Sequence, residues 1–329
     1  MRRAMCKAAV GNEVAGEDPT VNLLLEKVCA LLDKEAAVFL PSGTMCNGIA
    51  FRVLCERPGD LIILDQTAHP LKQSAGLIAG LAHAQPYPIH GENGIFSVQQ
   101  IEPIIAAPHN YNHARARVVS IEQTTNLGGG TIWPLQTIEE VCQLAHRYQV
   151  RTHLDGARLF NAVVETGTSA ARYAQHFDSV WVDFSKSLGA PMGAVLAGSQ
   201  AFIDDAWYYK FQQGGGLHQA GMLAAGCLYG LEHHLQKLPE VHAYAKQLAE
   251  RLSQLSFVTL NPDDVQTNIV IFTVDHHRLS AFDIEQRLLE KGIRALALDQ
   301  NRLRMIVHLD ISITDIQTVF AAMRDIGKD

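Results

Sequence analysis

The sequence predicts an α/β protein with a large domain built on a mainly parallel sheet and a smaller C-terminal α/β domain. Short apolar runs alternate with helix-like stretches as far as residue 199, which is typical of a parallel sheet covered by helices on both faces. The residue pattern changes at Pro239, after which the predicted helices are polar and amphipathic and alternate with strands of a mixed or antiparallel sheet. We therefore assign residues 1–236 to the large domain and residues 237–329 to the small one.

The composition argues against several classes of partner. A formal net charge of −7 does not suit binding to nucleic acid or to an anionic membrane surface. The 6 cysteines are scattered without a CxxC pair, which indicates reduced thiols of a cytoplasmic protein. No apolar run reaches the length of a signal peptide or a membrane span. The histidine pairs at 233–234 and 276–277 lack the spacing of metal ligands on a helix, so we expect no metal site.

The N-terminal elements predict a place for an anion. A helix capped by Thr20 or Asn22 should carry Leu23, Leu24, Val28 and Leu31 on its apolar side. A strand over residues 36–40 follows, and then Ser42, Gly43 and Thr44 open a second helix. Strand, Ser-Gly-Thr and helix together offer hydroxyl groups and backbone N–H groups to a phosphate, although taken alone an ordinary helix cap explains these residues better.

Further strands end in polar residues. A strand over residues 61–65 is followed by His69, at the end of a strand where open α/β sheets place ligands, although such a histidine is more often structural. A strand over residues 117–122 leads to a triple glycine at 128–130, which is not GxGxxG and gives little support to a dinucleotide site. After a helix over 136–148, a strand that starts at residue 151 ends on Asp155.

One lysine ends the next strand. Val180, Val182 and Phe184 alternate in a strand that we expect to end at Ser185, and a second apolar run covers residues 194–197. Lys186 lies between them among apolar and small residues, where burial should lower its pKa. Such an amine suits Schiff-base chemistry with a carbonyl, including that of pyridoxal phosphate, but a lysine reaching to water explains this segment equally well.

The remaining elements complete both domains. An aromatic segment at 207–209 precedes the glycines 214–216, and residues 218–232 predict a long buried helix. In the small domain we expect helices over 241–255, 281–291 and 313–326 and strands over 257–260, 268–274 and 302–308.

Together these residues favour a pyridoxal phosphate enzyme. Asp155 and Lys186 end strands of the same sheet, so the carboxylate can pair with a pyridinium nitrogen while the lysine holds the carbonyl carbon. Ser42, Gly43 and Thr44 would bind the phosphate, and His69 would lie on the face of the ring, in a stacking or proton-transfer position. Arg158 could bind the carboxylate of an amino acid through both guanidinium nitrogens.

Seven collinear motifs resemble those of the L-threonine aldolase family, within the aspartate aminotransferase fold class of pyridoxal phosphate enzymes. They cover nearly the whole chain and are Gly16-Glu-Asp-Pro-Thr20, Lys34-Glu-Ala-Ala-Val-Phe-Leu-Pro-Ser-Gly-Thr44, His153-Leu-Asp-Gly-Ala-Arg-Leu-Phe-Asn-Ala162, Leu188-Gly-Ala-Pro-Met-Gly193, Gly214-Gly-Gly-Leu-His-Gln-Ala-Gly221, Thr267-Asn268 and Arg304-Met-Ile-Val-His-Leu-Asp310. The resemblance implies a seven-stranded, mainly parallel sheet in the large domain.

The resemblance also implies roles for particular residues. Lys186 would form the Schiff base, Asp155 would pair with the ring nitrogen, and Arg158 and Arg304 would bind the substrate carboxylate. The implied cofactor-binding set is Ser42, Gly43, Thr44, His69, Asp155, Arg158, Ser185 and Lys186, with Lys186, His69 and Asp155 as the catalytic residues. The implied reaction is cleavage of L-threonine or L-allo-threonine to glycine and an aldehyde. The implied assembly is a homotetramer, a dimer of dimers in which residues 214–216 approach a neighbouring subunit's cofactor.

The sequence departs from the family pattern mainly on the substrate side. Thr125 replaces a histidine near the substrate hydroxyl, Ala15 replaces a tyrosine, and His218 replaces an arginine that binds phosphate across subunits. Ser187 follows the lysine where the family has glycine, and the family's Asp-Leu-Arg-Ser-Asp-Thr-Val-Thr segment does not precede Gly11. We therefore keep two alternatives, a β-eliminating lyase on the same scaffold and a cofactor-binding relative with impaired catalysis.

Overall fold

The computed structural model describes residues 1–108 and 110–328, and their contacts divide into two compact units. The first unit comprises Met1–Gly128 and Trp133–Gln236. The second comprises Gly129–Ile132 and the chain from Lys237 onward. The short segment joins the second unit because Thr267 Oγ1 donates to the Gly130 carbonyl at 2.8 Å and the Ile132 N–H donates to Gln266 Oε1 at 2.7 Å.

The first unit is built on a mainly parallel sheet, as predicted. In the part of the chain that the structure describes, its strands lie in the order β1-β7-β6-β5-β4-β2-β3. All neighbouring pairs from β6 through β3 are parallel, whereas β7 runs antiparallel to both β6 and β1. The bounds are β1 (Ala36–Leu40), β2 (Leu61–Asp65), β3 (Gln85–Ile89), β4 (Ala116–Glu122), β5 (Arg151–Gly156), β6 (Ser179–Asp183) and β7 (Ala194–Gly198).

Helices surround this sheet. Their bounds are α1 (Arg2–Cys6), α2 (Pro19–Leu32), α3 (Gly43–Leu54), α4 (His69–Lys72), α5 (Leu77–Gly80), α6 (Val98–Ile105), α7 (Leu135–Arg147), α8 (Leu159–Thr166), α9 (Ala170–Ala174), α10 (Gln200–Gln212) and α11 (Gly221–His233), with 3₁₀ turns at Glu13–Ala15 and Leu235–Lys237. The central strands β6 and β7 are buried at every residue, which explains their nearly continuous apolar sequences. No helix in the described residues is long and apolar enough to cross a membrane.

Helix α2 corrects the predicted N-terminal cap. The cap is Asp18, not Thr20 or Asn22, and Asp18 Oδ1 accepts the N–H groups of Thr20 and Val21 at 3.1 and 3.0 Å. Pro19 explains the difference, because its fixed φ and missing N–H suit the first helical position. The buried face is Val21, Leu24, Val28 and Leu32, whereas Leu23 and Leu31, which were predicted among the apolar residues of this helix, are exposed.

The connection between β6 and β7 carries Lys186. The strand ends at Asp183, two residues before the predicted Ser185, and residues 184–193 return the chain antiparallel. Gly193 lies at φ +120°, and a Cβ there would meet Cys227 Sγ at 2.6 Å, so this turn requires glycine. The Ala190 N–H donates to the Phe184 carbonyl at 2.8 Å and closes the loop.

The second unit contains an antiparallel sheet packed by helices. Among the described residues its strands lie in the order β10-β11-β9-β8, and each neighbouring pair is antiparallel. The bounds are β8 (Val258–Thr259), β9 (Ile269–Val274), β10 (Leu296–Ala297), β11 (Arg302–Ile306), α12 (Leu238–Leu252), α13 (Ala281–Glu290) and α14 (Ile313–Ile326), with a 3₁₀ turn at Pro262–Asp264. Leu248, Phe272, Leu303 and Met323 belong to its buried core. The predicted helices and longer strands of this region are all present, within three residues at each end.

Candidate cofactor and substrate site

Buried acidic side chains gather at the carboxyl ends of neighbouring strands in the first unit. β2, β4 and β6 end on Asp65, Glu122 and Asp183, and Asp155 lies near the end of β5. Their residues are 4, 7, 6 and 1% exposed. Because carboxyl ends of parallel strands meet at one edge of a sheet, this edge is where an open α/β fold places its ligand.

Asp155 is the most deeply buried of these carboxylates. Its Oδ2 accepts Asn47 Nδ2–H at 2.8 Å and its Oδ1 accepts the Ala157 N–H at 3.1 Å. Burial raises the pKa of Asp155, while the positive charge of Lys186 and the Asn47 hydrogen bond oppose that rise. Asp155 and Lys186 thus lie within electrostatic range at the edge where the neighbouring strands β5 and β6 end, as their strand-end positions predict.

Asn47 is held from behind by further buried groups. Its Oδ1 lies 3.0 Å from His153 Nε2 and 2.9 Å from Trp181 Nε1, and His153 Nδ1 lies 2.7 Å from Ser179 Oγ. Burial lowers the pKa of His153 to about 3, so the ring is neutral at physiological pH. Sequence reasoning missed Asn47, although it lies one helical turn after Gly43 on the same helix.

Lys186 lies beside Asp183 in the β6–β7 loop. Its Nζ is 3.2 Å from Asp183 Oδ2 and 5.3 Å from the centre of the Trp181 ring. Asp183 Oδ1 accepts the N–H and the Oγ–H of Ser185 at 2.6 and 2.7 Å, which fixes the start of the loop. Of the two interpretations of this lysine, enclosed by apolar groups or reaching water, the structure supports the second. The side chain is 35% exposed because it projects from the sheet edge beside a carboxylate, and the amine is therefore accessible to an aldehyde.

His69 begins α4 directly beyond β2. Asp65 Oδ1 accepts the Thr67 N–H at 2.7 Å and its Oδ2 accepts the Gly91 N–H at 3.0 Å, so the turn that presents His69 is fixed. Ser74 Oγ donates to the His69 carbonyl at 3.2 Å and lies 3.1 Å from His69 Nδ1. The Ser74 hydroxyl group therefore orients the His69 ring through Nδ1. Burial lowers the pKa of His69, which favours the neutral ring.

Arg158 and Glu122 lie at the same edge and influence each other electrostatically. Arg158 is 7% exposed at the start of α8, and its N–H donates to the Gln123 carbonyl at 3.1 Å. Burial lowers the pKa of Arg158, and the carboxylates of Glu122, Asp183 and Asp155 oppose the shift in that order. Burial, followed by the charge of Asp155, raises the pKa of Glu122 to about 7.

The N-terminus of α3 has the form predicted for an anion site. Ser42 is the N-cap, and its Oγ accepts the Met45 N–H at 3.3 Å. The amides of Gly43 and Thr44 occupy the first helical positions, which have no acceptor within the helix. A Cβ at Gly43 would lie 2.0 Å from the Trp181 ring, so the approach of this helix to β6 requires glycine.

Unsatisfied polar atoms mark the same edge. Among the residues that the structure describes, Thr124 Oγ1, Asn126 Oδ1 and Ser187 Oγ are buried without a hydrogen-bond partner. Thr124 and Asn126 follow β4, and Ser187 follows Lys186. Buried oxygen atoms without partners are costly, so they indicate a polar ligand at this edge.

The residues that depart from the family pattern lie in several places. Thr125 is buried beside the Gly94 turn, whereas Ala15 and His218 are exposed. The Glu13 N–H donates to the His218 carbonyl at 2.9 Å, so the segments around Ala15 and His218 are adjacent in one chain. Arg304 lies on β11 of the second unit, opposite Ile271 and Leu296.

These features define a class of protein. An accessible lysine, a buried carboxylate and a capped helix N-terminus match the aldehyde, ring nitrogen and phosphate of pyridoxal phosphate, and unsatisfied buried oxygens remain for its other polar groups. The fold and the donor set are those of a pyridoxal phosphate enzyme of the aspartate aminotransferase fold class.

Comparison with known proteins identifies the family. Residues 1–275 match the beta-eliminating lyase family, and the chain belongs to that family and to its L-threonine aldolase members. It is 36% identical to low-specificity L-threonine aldolase 1 of Arabidopsis thaliana over 96% of this chain and 89% of that protein. It is 34% identical to the low specificity L-threonine aldolase of Escherichia coli K12 over 98% of this chain and 94% of that protein.

A solved structure supports the same fold. The threonine aldolase of Leishmania major aligns with a TM-score of 0.82 over 99% of this chain and 94% of that chain, at 19% identity. Family membership makes the protein a pyridoxal phosphate-dependent lyase.

Proposed function

We propose that this lyase cleaves L-threonine, L-allo-threonine or a related β-hydroxy-α-amino acid to glycine and an aldehyde. The observation that carries the proposal is the position of Lys186, Asp155 and Arg158 at the carboxyl ends of the neighbouring parallel strands β5 and β6, in a chain of this family. The lysine amine can bind the aldehyde of the cofactor, and the aspartate can pair with its ring nitrogen. The guanidinium can bind the carboxylate of the substrate.

The cofactor side of the site would be held by the first unit. Lys186 would bind the cofactor covalently, Asp155 would pair with the ring nitrogen, and His69 would lie on the ring face. Ser42, Gly43 and Thr44 would hold the phosphate, together with Ser185 beside the lysine. When bound, pyridoxal phosphate supplies an electron sink for negative charge that develops at the substrate α-carbon.

Two arginines would orient the substrate. The planar guanidinium of Arg158 can hold a carboxylate through two parallel hydrogen bonds, which fixes the rotation of the bond to be broken. Arg304, from the small domain that we assign to residues 237–329, would bind the same carboxylate. Residues 1–236 would then act as the cofactor-binding domain.

His69 is the residue best placed to accept the proton of the β-hydroxyl group. Burial lowers the pKa of its ring, and a base of lowered pKa remains unprotonated and able to accept a proton at neutral pH. Thr125 cannot act as a base, so it does not replace the histidine that the family has at that position.

A β-elimination is the second candidate, because the matching family is described as beta-eliminating lyases. Glu122 supports it, since a buried carboxyl with a pKa near 7 can pass a proton to a leaving hydroxyl group. Product analysis after incubation of the purified, cofactor-loaded protein with L-threonine separates the two. Glycine and acetaldehyde support the aldolase, whereas a 2-oxo acid and ammonia would identify the elimination. A protein that binds the cofactor and forms neither product would be a catalytically impaired relative.

For the assembly we propose a cytoplasmic homotetramer, a dimer of dimers with residues 214–216 near the neighbouring subunit's cofactor. Leu23, Leu31, Tyr208 and Phe211 are exposed on α2 and α10, which supports burial against other copies. Light scattering of the eluting protein measures its mass. A mass of four chains supports the tetramer, and a mass of one chain would exclude any assembly with shared sites.

A further inference from the structure

A chain of buried side chains lies behind Asp155 and has no part in the function proposed above. Asn47, His153 and Ser179 are each 0% exposed, and Asp155 is 1% exposed. They follow one another at hydrogen-bond distance: Ser179 to His153 at 2.7 Å, His153 to Asn47 at 3.0 Å and Asn47 to Asp155 at 2.8 Å. Three elements contribute, since Asn47 belongs to α3, His153 to β5 and Ser179 to β6.

Trp181 determines the direction of these hydrogen bonds. An indole N–H is only a donor, and Trp181 Nε1 lies 2.9 Å from Asn47 Oδ1, so this atom of Asn47 must be the oxygen. The Asn47 amide N–H therefore faces Asp155. The same oxygen must accept the proton of His153 Nε2, which leaves His153 Nδ1 to accept the Ser179 hydroxyl proton.

The Ser179 hydroxyl, the His153 ring N–H and the Asn47 amide N–H consequently all donate in the direction of Asp155. Hydrogen bonds aligned in one direction polarise one another, and their donor end stabilises negative charge on the final acceptor. Asp155 needs this support because burial raises its pKa and so favours the protonated acid. A protonated Asp155 would carry no charge to balance a cationic ring nitrogen.

We propose that Asn47 is a positioning residue, oriented by His153 and Ser179, that keeps Asp155 ionised and directed towards the ring nitrogen of the cofactor. The inference rests on the proposed function for the identity of the group that Asp155 meets. Ser42–Thr44 lie at the N-terminus of α3, and Asn47 lies on the same helix. One rigid helix would therefore fix the position of the cofactor phosphate and, through Asp155, the position of its ring nitrogen.

The test uses protein loaded with pyridoxal phosphate labelled with ¹⁵N in the ring. The ring-nitrogen chemical shift, followed against pH, reports its protonation, and a fluorescence titration gives the cofactor Kd. In Asn47→Leu the ring nitrogen should lose its proton about one pH unit below the wild-type value, and the Kd should rise about tenfold, because a charge-assisted hydrogen bond is lost. His153→Leu should act in the same direction, and His153→Gln, which retains a donor, should recover part of the loss.

Thr152→Val is the matched control. Thr152 is 0% exposed on the same strand, three residues before Asp155, and its Oγ1 donates to Asp178 Oδ2 at 3.0 Å at the far end of the sheet. It should lower the thermal midpoint while leaving the ring-nitrogen titration and the Kd unchanged.

Three results would overturn the inference. The first is a ring-nitrogen titration and a cofactor Kd in both Asn47→Leu and His153→Leu that equal those of the wild type. His153→Gln could be as impaired as His153→Leu. Thr152→Val could shift the ring nitrogen as far as Asn47→Leu, which would make the effect a general loosening of β5. If Asn47→Leu does not fold, the two His153 variants decide. A wild-type protein that binds no cofactor would instead overturn the proposed function.

Discussion

At the scale of single residues, the site is a balance of buried charges. Lys186, Asp155, Arg158 and His69 were predicted from their positions at strand ends, and the structure brings them to one edge. Asn47, Asp183 and Glu122 were not assigned roles. Their partners depend on which strands are neighbours and where α3 crosses the sheet, and these relations join residues far apart in sequence.

Arg158→Lys tests the substrate side. A lysine keeps the charge but loses the two parallel hydrogen bonds, so kcat/KM should fall about tenfold or more, largely through KM. Cofactor absorbance should be retained. Arg151→Lys, at the opposite end of β5 and 3.1 Å from Asp178, is the control and should leave kcat/KM unaltered. Unchanged kinetics in Arg158→Lys would exclude the carboxylate role.

Glu122→Gln tests the buried carboxyl through pH. The folded protein raises the pKa of Glu122 from 4.5 to about 7, so between these values it keeps a proton that the unfolded chain releases. The stability due to this group is therefore complete below pH 4.5 and is lost as the pH rises towards 7. Glutamine is neutral at every pH, so Glu122→Gln should not show this pH-dependent loss of unfolding free energy.

Urea unfolding of the cofactor-free protein from acid to neutral pH measures the effect. From about pH 4 to about pH 8 the unfolding free energy of the wild type should fall by about 3 kcal/mol relative to Glu122→Gln. Glu250→Gln, on an exposed position of α12, is the control and should follow the wild-type profile. Parallel profiles for the wild type and Glu122→Gln would contradict the raised pKa.

At the scale of elements, strand positions were easier to predict than caps and directions. β1 and β2 match their predicted ranges because each is a continuous apolar run between turn residues. β3 was not predicted, since Pro86 and Pro88 interrupt its pattern, and it tolerates them as the edge strand of the sheet. The reversal of β7 follows from a connection of residues 184–193, which is too short for a parallel crossover.

Asp18→Ala tests the corrected cap of α2. Asp18 is 0% exposed, and besides the two α2 amides its Oδ2 accepts the Gly11 and Gly221 N–H groups at 3.1 and 2.8 Å. Its loss should lower the unfolding free energy by about 2–4 kcal/mol, because several buried donors lose their acceptor. Asn22→Ala, at a position predicted as the cap, removes one exposed bond and should cost less than about 1 kcal/mol. Chemical denaturation compares the variants, and equal losses would contradict the assignment of the cap.

At the scale of the whole molecule, the fold class was predictable and the completed site was not. Alternating strands and helices predict a covered parallel sheet, and a parallel sheet places its strand ends at one edge. The changed residue pattern after Pro239 predicts a mixed or antiparallel sheet, and the sheet that the described residues form there is antiparallel. Contacts between copies of the protein depend on exposed surfaces such as the aromatic residues of α10. The sequence shows that these residues are apolar but not which surface they contact.

The central claim is that the coenzyme is bound covalently by the Lys186 amine. Borohydride reduction of the loaded protein, followed by proteolysis and peptide mass mapping, tests it most directly, because reduction fixes the cofactor on the lysine that holds it. The account predicts one phosphopyridoxyl group on the peptide containing Lys186 and none on that peptide in Lys186→Ala. A label on another lysine, or an unlabelled wild-type protein, would contradict it.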